Sequence, residues 1–241
     1  MSEEFDLAGD LTAACHDRAQ AWRFLRRFAA AWSTPIADGD GWRQDELSAA
    51  EQRLGVQLPE ALKEAFALLG RREDLTSNQD HLFRPDQLDY DETGRALLWR
   101  CENQGVAYWG IPVEDLRLPD PPVIFQLDAT YYSPEPWRPF LGRLSLACIE
   151  MVLYEALFGS DNDSREATDA DPGILERRFT RLSLPDYPMW TTPEGPPIRW
   201  FHGRDVLVCD FATEWIWVRA RTPEALEAVR DTLPGDWQMR P

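Results

Sequence analysis

The sequence of 241 residues has little of the chemistry on which common enzyme classes depend. It contains one lysine, Lys63, and three scattered histidines, His16, His81 and His202. It has no glycine-rich nucleotide-binding motif, P-loop, HExxH zinc motif or GxSxG nucleophile motif. Because histidine is the side chain best suited to proton transfer near neutral pH, little is left for general-base catalysis. The abundant carboxylates leave a hydrolase with two acidic catalytic residues open, although no pair stands out.

Cysteine is also sparse, and its spacing matches no redox or metal motif. Cys15, Cys101, Cys148 and Cys209 are dispersed among apolar neighbours and form no CxxC pair. This pattern predicts buried, reduced thiols, with no disulfide, metal ion or other cofactor. No run approaches the roughly 20 apolar residues of a membrane helix. The acidic N-terminal stretch also differs from a signal peptide, so we expect a cytoplasmic protein.

The sequence has far fewer basic residues than acidic ones. Lysine and arginine total 25 and the acidic residues total 42, which gives a net charge of -17. Such a field repels phosphate backbones and anionic lipids, so we expect no nucleic-acid or membrane partner. The same field attracts a basic protein. The alternative is that the acidity serves solubility alone.

The hydrophobic pattern predicts an α+β chain. Apolar residues at helical spacing indicate one helix from Asp10 to Trp32, and shorter helices at 46–54 and 59–69, which Gly55 and Gly70 terminate. Further helices are expected from Pro139 to Gly159 and from Pro223 onward. Alternating or apolar runs predict strands, expected in one sheet, near residues 97–101, 106–111, 123–127, 206–211 and 215–220. Since both faces of the last strand are apolar, it should lie in a sheet covered on both sides.

Two groups of residues are candidates for binding a partner. The first is aromatic and lies in loops, where rings are not needed for a core: Trp42, Tyr131, Tyr132 and Trp137. The second is acidic and belongs to residues 160–173, which the composition predicts to be a solvated loop: Asp161, Asp163, Asp169 and Asp171. A calcium loop is excluded there, because the glycine and glutamate positions of the EF-hand pattern hold Glu166 and Pro172. Each group also has a plainer interpretation. The aromatic rings would fold back onto the core, and the acidic loop would be solvated and have no partner.

Two segments carry a family resemblance. The first is LSAAEQRLGVQLP at 47–59, followed by the helix that ends at Phe66 to Gly70. The second is ENQGVAYWGI at 102–111 together with PDPPVI at 119–124. In this order they resemble the SUKH superfamily, which joins fungal Smi/Knr-type regulators of cell-wall synthesis to bacterial immunity proteins. The resemblance covers residues 45–160.

The resemblance implies both a fold and a function. The fold is a single α+β domain with helices packed on a twisted, mainly antiparallel sheet, here at 36–241, preceded by a helical extension at 1–35. The function is non-enzymatic protein binding, most often neutralisation of a toxin, and it brings no catalytic residues. A regulatory scaffold protein is the alternative from the same family, and a carboxylate-dependent hydrolase is a remote one.

Overall fold

A computed structural model describes residues 5–128 and 136–238, and within these ranges the chain forms helices and antiparallel strands. The helices are α1 Leu7–Ala14, α2 Arg18–Trp32, α3 Gln44–Leu54, α4 Glu60–Leu69, α5 Glu73–Thr76, α6 Leu144–Ala156, α7 Asp171–Arg178 and α8 Pro223–Thr232. The strands are β1 His81–Leu82, β2 Asp89–Tyr90, β3 Ala96–Cys101, β4 Ala107–Pro112, β5 Val123–Leu127, β6 Arg138–Leu141, β7 Asn162–Glu166, β8 Thr180–Arg181, β9 Arg199–Gly203, β10 Val206–Phe211 and β11 Trp215–Ala220. None of the described helices is both long and apolar enough to cross a membrane.

The strands divide between two antiparallel sheets. The first has the order β1-β3-β4-β5-β6, with β2 also paired to β3. The second has the order β7-β11-β10-β9-β8. The α+β class and the single domain are confirmed, but the expectation that the five predicted strands share one sheet is wrong. Periodicity identifies a strand, whereas its partners depend on contacts that are distant in sequence.

One helix lies at the centre of the molecule. Twelve residues of α6, including Glu150 and Glu155, are buried, as expected for a helix that is apolar nearly all round. Its apolar side chains join one core cluster with β3, β4 and β5 of the first sheet and with β9 and β10 of the second. Residues of α1 and α2 lie in the same cluster. The division of the chain at residue 35 stays a prediction.

The final strand confirms its predicted two-sided burial. Trp217 packs against the main cluster, whereas Ile216 and Val218 belong to a second cluster beneath α7 and α8. Thr222 caps α8, since its hydroxyl accepts a hydrogen bond from the Ala225 N–H at 3.2 Å. Leu226 of α8 is buried in the second cluster, as its spacing predicts.

Several helix boundaries differ from the prediction. The first helix begins at Leu7 rather than at Asp10, and α6 ends at Ala156 rather than at Gly159. The first helix is broken before α2, because the Asp17 carboxylate accepts the Gln20 N–H at 2.9 Å and starts a new helix. The α3 helix begins earlier than predicted, where the Glu46 carboxylate accepts the Arg43 N–H. The segment from Pro139 starts as strand β6 rather than as a helix, and α6 begins only at Leu144. Gly55 ends α3 in the left-handed conformation, with φ of 69°, as predicted.

Candidate functional site

An open cavity of about 630 Å³ lies against one face of the first sheet. We call it the sheet-face groove, and its lining includes Tyr90, Asp91, Glu92, Leu98, Tyr108 and Trp137. Leu98 and Tyr108 are half-buried, and their β-strand neighbours Leu97 and Trp109 point into the core. The groove therefore has an apolar, largely aromatic floor on the face of the sheet opposite the core.

Trp137 is held in the groove at two edges of its ring. Its indole Nε1 donates to Asp91 Oδ2 at 3.4 Å. Its six-membered ring lies over Gly110, where an added Cβ would come within 3.1 Å of the ring. The ring occupies space that a side chain at residue 110 would need, and it stays half-buried. The aromatic residue that the sequence places in a proline-rich loop is thus fixed in position without joining the core.

Asp91 supplies a stable negative charge beside this ring. Burial alone would raise the pKa of its carboxyl. Hydrogen bonds from the Thr93 hydroxyl and from the backbone N–H groups of Ala96, Arg95 and Thr93 outweigh burial and lower the pKa below its ordinary value. The neighbouring Glu92 is exposed. None of the described residues that line the groove is a lysine or an arginine.

The other aromatic candidates have different outcomes. Trp42 is half-buried against the main cluster, and its Nε1 donates to the Gly70 carbonyl at 2.9 Å. The Arg71 guanidinium stacks on the Trp42 ring at 4.2 Å from its centroid. This ring packs on the scaffold, and its role in binding a partner stays a prediction. Tyr131 and Tyr132 lie outside the described residues.

The acidic segment is not a solvated loop, and that prediction is wrong. Residues 162–166 form β7, which pairs with β11, and Asp171 begins α7. Asp163 is buried and accepts from Arg230 Nε at 2.8 Å. Asp171 is also buried and accepts from Arg165 Nη1 at 2.9 Å. Because both carboxylates are neutralised inside the fold, only Asp161 and Asp169 of the four candidates face solvent.

The main core contains an ionic cluster that the sequence analysis missed. Arg100, on β3, is 1% exposed and donates to Glu150 at 2.8 Å, to Asp80 at 3.1 Å and to Glu155 at 3.3 Å. Glu155 also accepts the backbone N–H groups of Gln79 and Asp80. The available signal was a charged residue inside an otherwise apolar strand or helix, which Arg100, Glu150 and Glu155 each show.

Three carboxylates against one guanidinium leave the cluster with an excess of negative charge. Burial raises the pKa of Asp80 to about 7, against the lowering effect of Arg100. Burial likewise raises the pKa of Glu150, although Arg100 and the Tyr187 hydroxyl stabilise its charged form. The cavity beside these groups measures only about 10 Å³. Two carboxyls with raised pKa, which a hydrolase would need, are therefore present. The cavity next to them is too small to admit a substrate.

We predict that Asp80→Asn removes a pH dependence of stability. The pKa of Asp80 is about 7 in the folded chain and about 3.9 in an unfolded one. Because the folded chain holds this proton more tightly than the unfolded chain does, protonation of Asp80 stabilises the fold. The stabilisation is complete below about pH 4 and is lost as the pH rises through 7. Relative to the variant, the wild type should lose up to about 1.4 kcal/mol of unfolding free energy for each pH unit in this window.

Urea unfolding from pH 4 to pH 8 measures this difference. Asp86→Asn is the control, because Asp86 lies at the surface and pairs there with Arg84. The prediction fails if the wild type and Asp80→Asn respond to pH alike.

The described residues include no group of three or more histidine, cysteine or acidic side chains placed to hold a metal ion. All four cysteines are free thiols, and burial raises the pKa of Cys101 to about 11. Comparisons with family models, curated proteins and solved structures found no match to this chain. The SUKH resemblance therefore rests on the two sequence segments alone.

Proposed function

We propose that this chain is a non-enzymatic, cytoplasmic protein-binding domain, and that it acts as an immunity protein by neutralising a basic toxin. The observation that carries the proposal is the sheet-face groove. The half-buried rings of Tyr108 and Trp137 lie outside the core cluster and beside the ionised Asp91 carboxylate. They match the composition of binding hot spots better than that of a scaffold. Trp137 is the expected anchor residue.

The ionic cluster supports the non-enzymatic part of the proposal. Its three carboxyls pair with Arg100 and are enclosed around a cavity of about 10 Å³. Catalytic acids must come within hydrogen-bond distance of a substrate. Glu155 instead accepts the backbone N–H groups of residues 79 and 80 and so fixes the chain between α5 and β1.

The net charge of -17 supports a basic partner. A protein that binds phosphate backbones, such as a nuclease toxin, is usually basic, and an opposite field on its inhibitor raises the association rate. A regulatory scaffold protein remains the alternative, and the gene beside this one separates the two. A toxin gene there favours immunity, whereas its absence favours the scaffold.

The test is binding kinetics of the full chain, immobilised, against the protein encoded by the adjacent gene. Trp137→Ala should raise the dissociation rate by about 30-fold, which corresponds to a hot spot of 2 kcal/mol. Glu92→Gln should mainly lower the association rate. Raising the salt from 0.1 M to 1 M shortens the Debye length from about 10 Å to about 3 Å, so the association rate should fall.

Two matched variants control for loss of an aromatic ring or of a charge elsewhere. Trp215→Ala removes a half-buried tryptophan from the second sheet, and Asp169→Asn removes an exposed carboxylate. Trp215→Ala should leave both rate constants unchanged. Asp169→Asn should leave the dissociation rate unchanged and lower the association rate less than Glu92→Gln does. If the association rate does not change with salt concentration, the acidity serves solubility alone. If all four variants bind equally well, the groove is not the interface.

A further inference from the structure

We propose that the sheet-face groove binds an arginine side chain of the partner, stacked on Trp137 and paired with the carboxylates beside it. This inference rests on the proposed function and specifies the chemistry of recognition. Its elements are the fixed indole ring of Trp137, the tyrosine rings of Tyr90 and Tyr108 in the same cavity, and the charges of Asp91 and Glu92. Ring faces attract cations, and a planar guanidinium both stacks on tryptophan and pairs with a carboxylate.

The chain itself contains this arrangement in complete form. At Trp42, the Arg71 guanidinium lies 4.2 Å from the ring centroid and also pairs with Glu46 at 2.8 Å. At Trp109, the Arg100 guanidinium lies 4.7 Å from the centroid and pairs with the buried carboxylates. In both places a tryptophan and a carboxylate share one arginine.

At Trp137 two of these three members are present. The indole Nε1 donates to Asp91 Oδ2, so the ring and the carboxylate are already in contact. Among the described residues, no arginine lies over the Trp137 ring, and none lines the groove. The cavity of about 630 Å³ leaves ample room for a guanidinium that arrives from another molecule.

Charge complementarity selects a cation over a neutral side chain. Hydrogen bonds hold the pKa of the Asp91 carboxyl below its ordinary value even though burial alone would raise it, so its charge persists at neutral pH. A neutral occupant would gain contact with the rings but leave this charge without a counter-ion. An arginine satisfies both and retains its charge at every physiological pH.

The experiment titrates the full chain with the peptide acetyl-Gly-Arg-Gly-amide and follows its indole N–H signals by two-dimensional NMR. The matched probe is the citrulline peptide, which replaces the guanidinium by a neutral urea of similar shape. Trp137→Phe identifies the Trp137 signal, and Trp215→Phe identifies a control signal. We expect saturable movement of the Trp137 signal alone, with the citrulline peptide at least about fivefold weaker.

Glu92→Gln provides a second test that does not disturb the fold, because Glu92 is exposed. This substitution should weaken binding of the arginine peptide at low salt and leave binding of the citrulline peptide unchanged. Equal affinity for the two peptides, or a Trp137 signal that does not move, overturns the inference. If a basic protein partner binds through Trp137 while the arginine peptide does not, the inference fails and the proposed function stands. If the peptide binds while the partner does not, the cation site stands and the proposed function fails.

Discussion

Replacing Arg100 with leucine is expected to lower the free energy of unfolding by at least about 3–5 kcal/mol, the usual cost of breaking a buried ion pair from one side. Arg100 donates to three buried carboxylates, and Glu155 and Glu150 are 0% and 5% exposed at the side chain. Leucine fills part of the volume but leaves these groups without a counter-charge. Denaturant unfolding at pH 7 measures the loss.

The pH distinguishes loss of charge pairing from loss of packing. Without the guanidinium, the carboxyls of Asp80 and Glu150 lose the group that opposes the rise in their pKa. They should then take up protons, and the deficit of Arg100→Leu should shrink as the pH falls from 7 to 5. Arg204→Leu is the control, because the Arg204 side chain is 99% exposed and its loss should change stability by no more than about 0.5 kcal/mol. A deficit that is the same at both pH values would indicate a packing defect instead.

The elements that sequence analysis predicted well are those fixed by local chemistry. The strands at Val123–Leu127, Val206–Phe211 and Trp215–Ala220 follow directly from their apolar residues, and Thr222 marks the start of α8. Gly55 ends its helix because glycine adopts positive φ without steric cost. In each case the residues that define the element lie within a few positions of it.

The elements that were missed depend on partners distant in sequence. Arg100 pairs with Glu150 and Glu155, 50 and 55 positions away, and the groove brings Asp91 to Trp137 across 46 positions. The sequence alone makes Trp137 a candidate, because an aromatic ring in a proline-rich loop is unusual. Asp91, which holds it, has no such signal, because an aspartate before a turn is common. Composition identifies which residues are unusual, whereas their partners follow only from the fold.

The acidic segment shows the same limit, and it leads to the last prediction. The composition of residues 160–173 is typical of a solvated loop. Asp163 nevertheless pairs with Arg230 of α8, 67 positions away, and this pair connects β7 to the C-terminal helix. Asp171 pairs with Arg165 across only six positions, but both are buried, so this pair fixes the turn between β7 and α7.

Asp171→Asn should lower the free energy of unfolding by about 3–5 kcal/mol, because it leaves the buried Arg165 without its counter-charge. Asp163→Asn should lower it by less, because Arg230 keeps its ion pair with the more exposed Glu227. The double variant should lose more stability than either single variant, but less than the sum, because Asp163 and Arg165 are neighbours on one face of β7. Asp161→Asn with Asp169→Asn removes the same formal charge from exposed positions and is the matched control. Its stability should change by less than about 1 kcal/mol in total, since surface substitutions each contribute about 0.5 kcal/mol or less.

Chemical denaturation measures the difference in unfolding free energy between the buried double variant, at Asp163 and Asp171, and the exposed one, at Asp161 and Asp169. Binding kinetics with the partner then show what each of the two sets of residues contributes. The exposed pair, Asp161 and Asp169, can act on a basic partner only through its long-range field. Its removal should therefore lower the association rate and leave the dissociation rate unchanged. Replacing the two buried residues, Asp163 and Asp171, should reduce binding only in proportion to the fraction of the chain that is unfolded. If Asp163→Asn and Asp171→Asn leave stability intact, the ion pairs do not hold β7 in the sheet, and its backbone pairing with β11 does so alone.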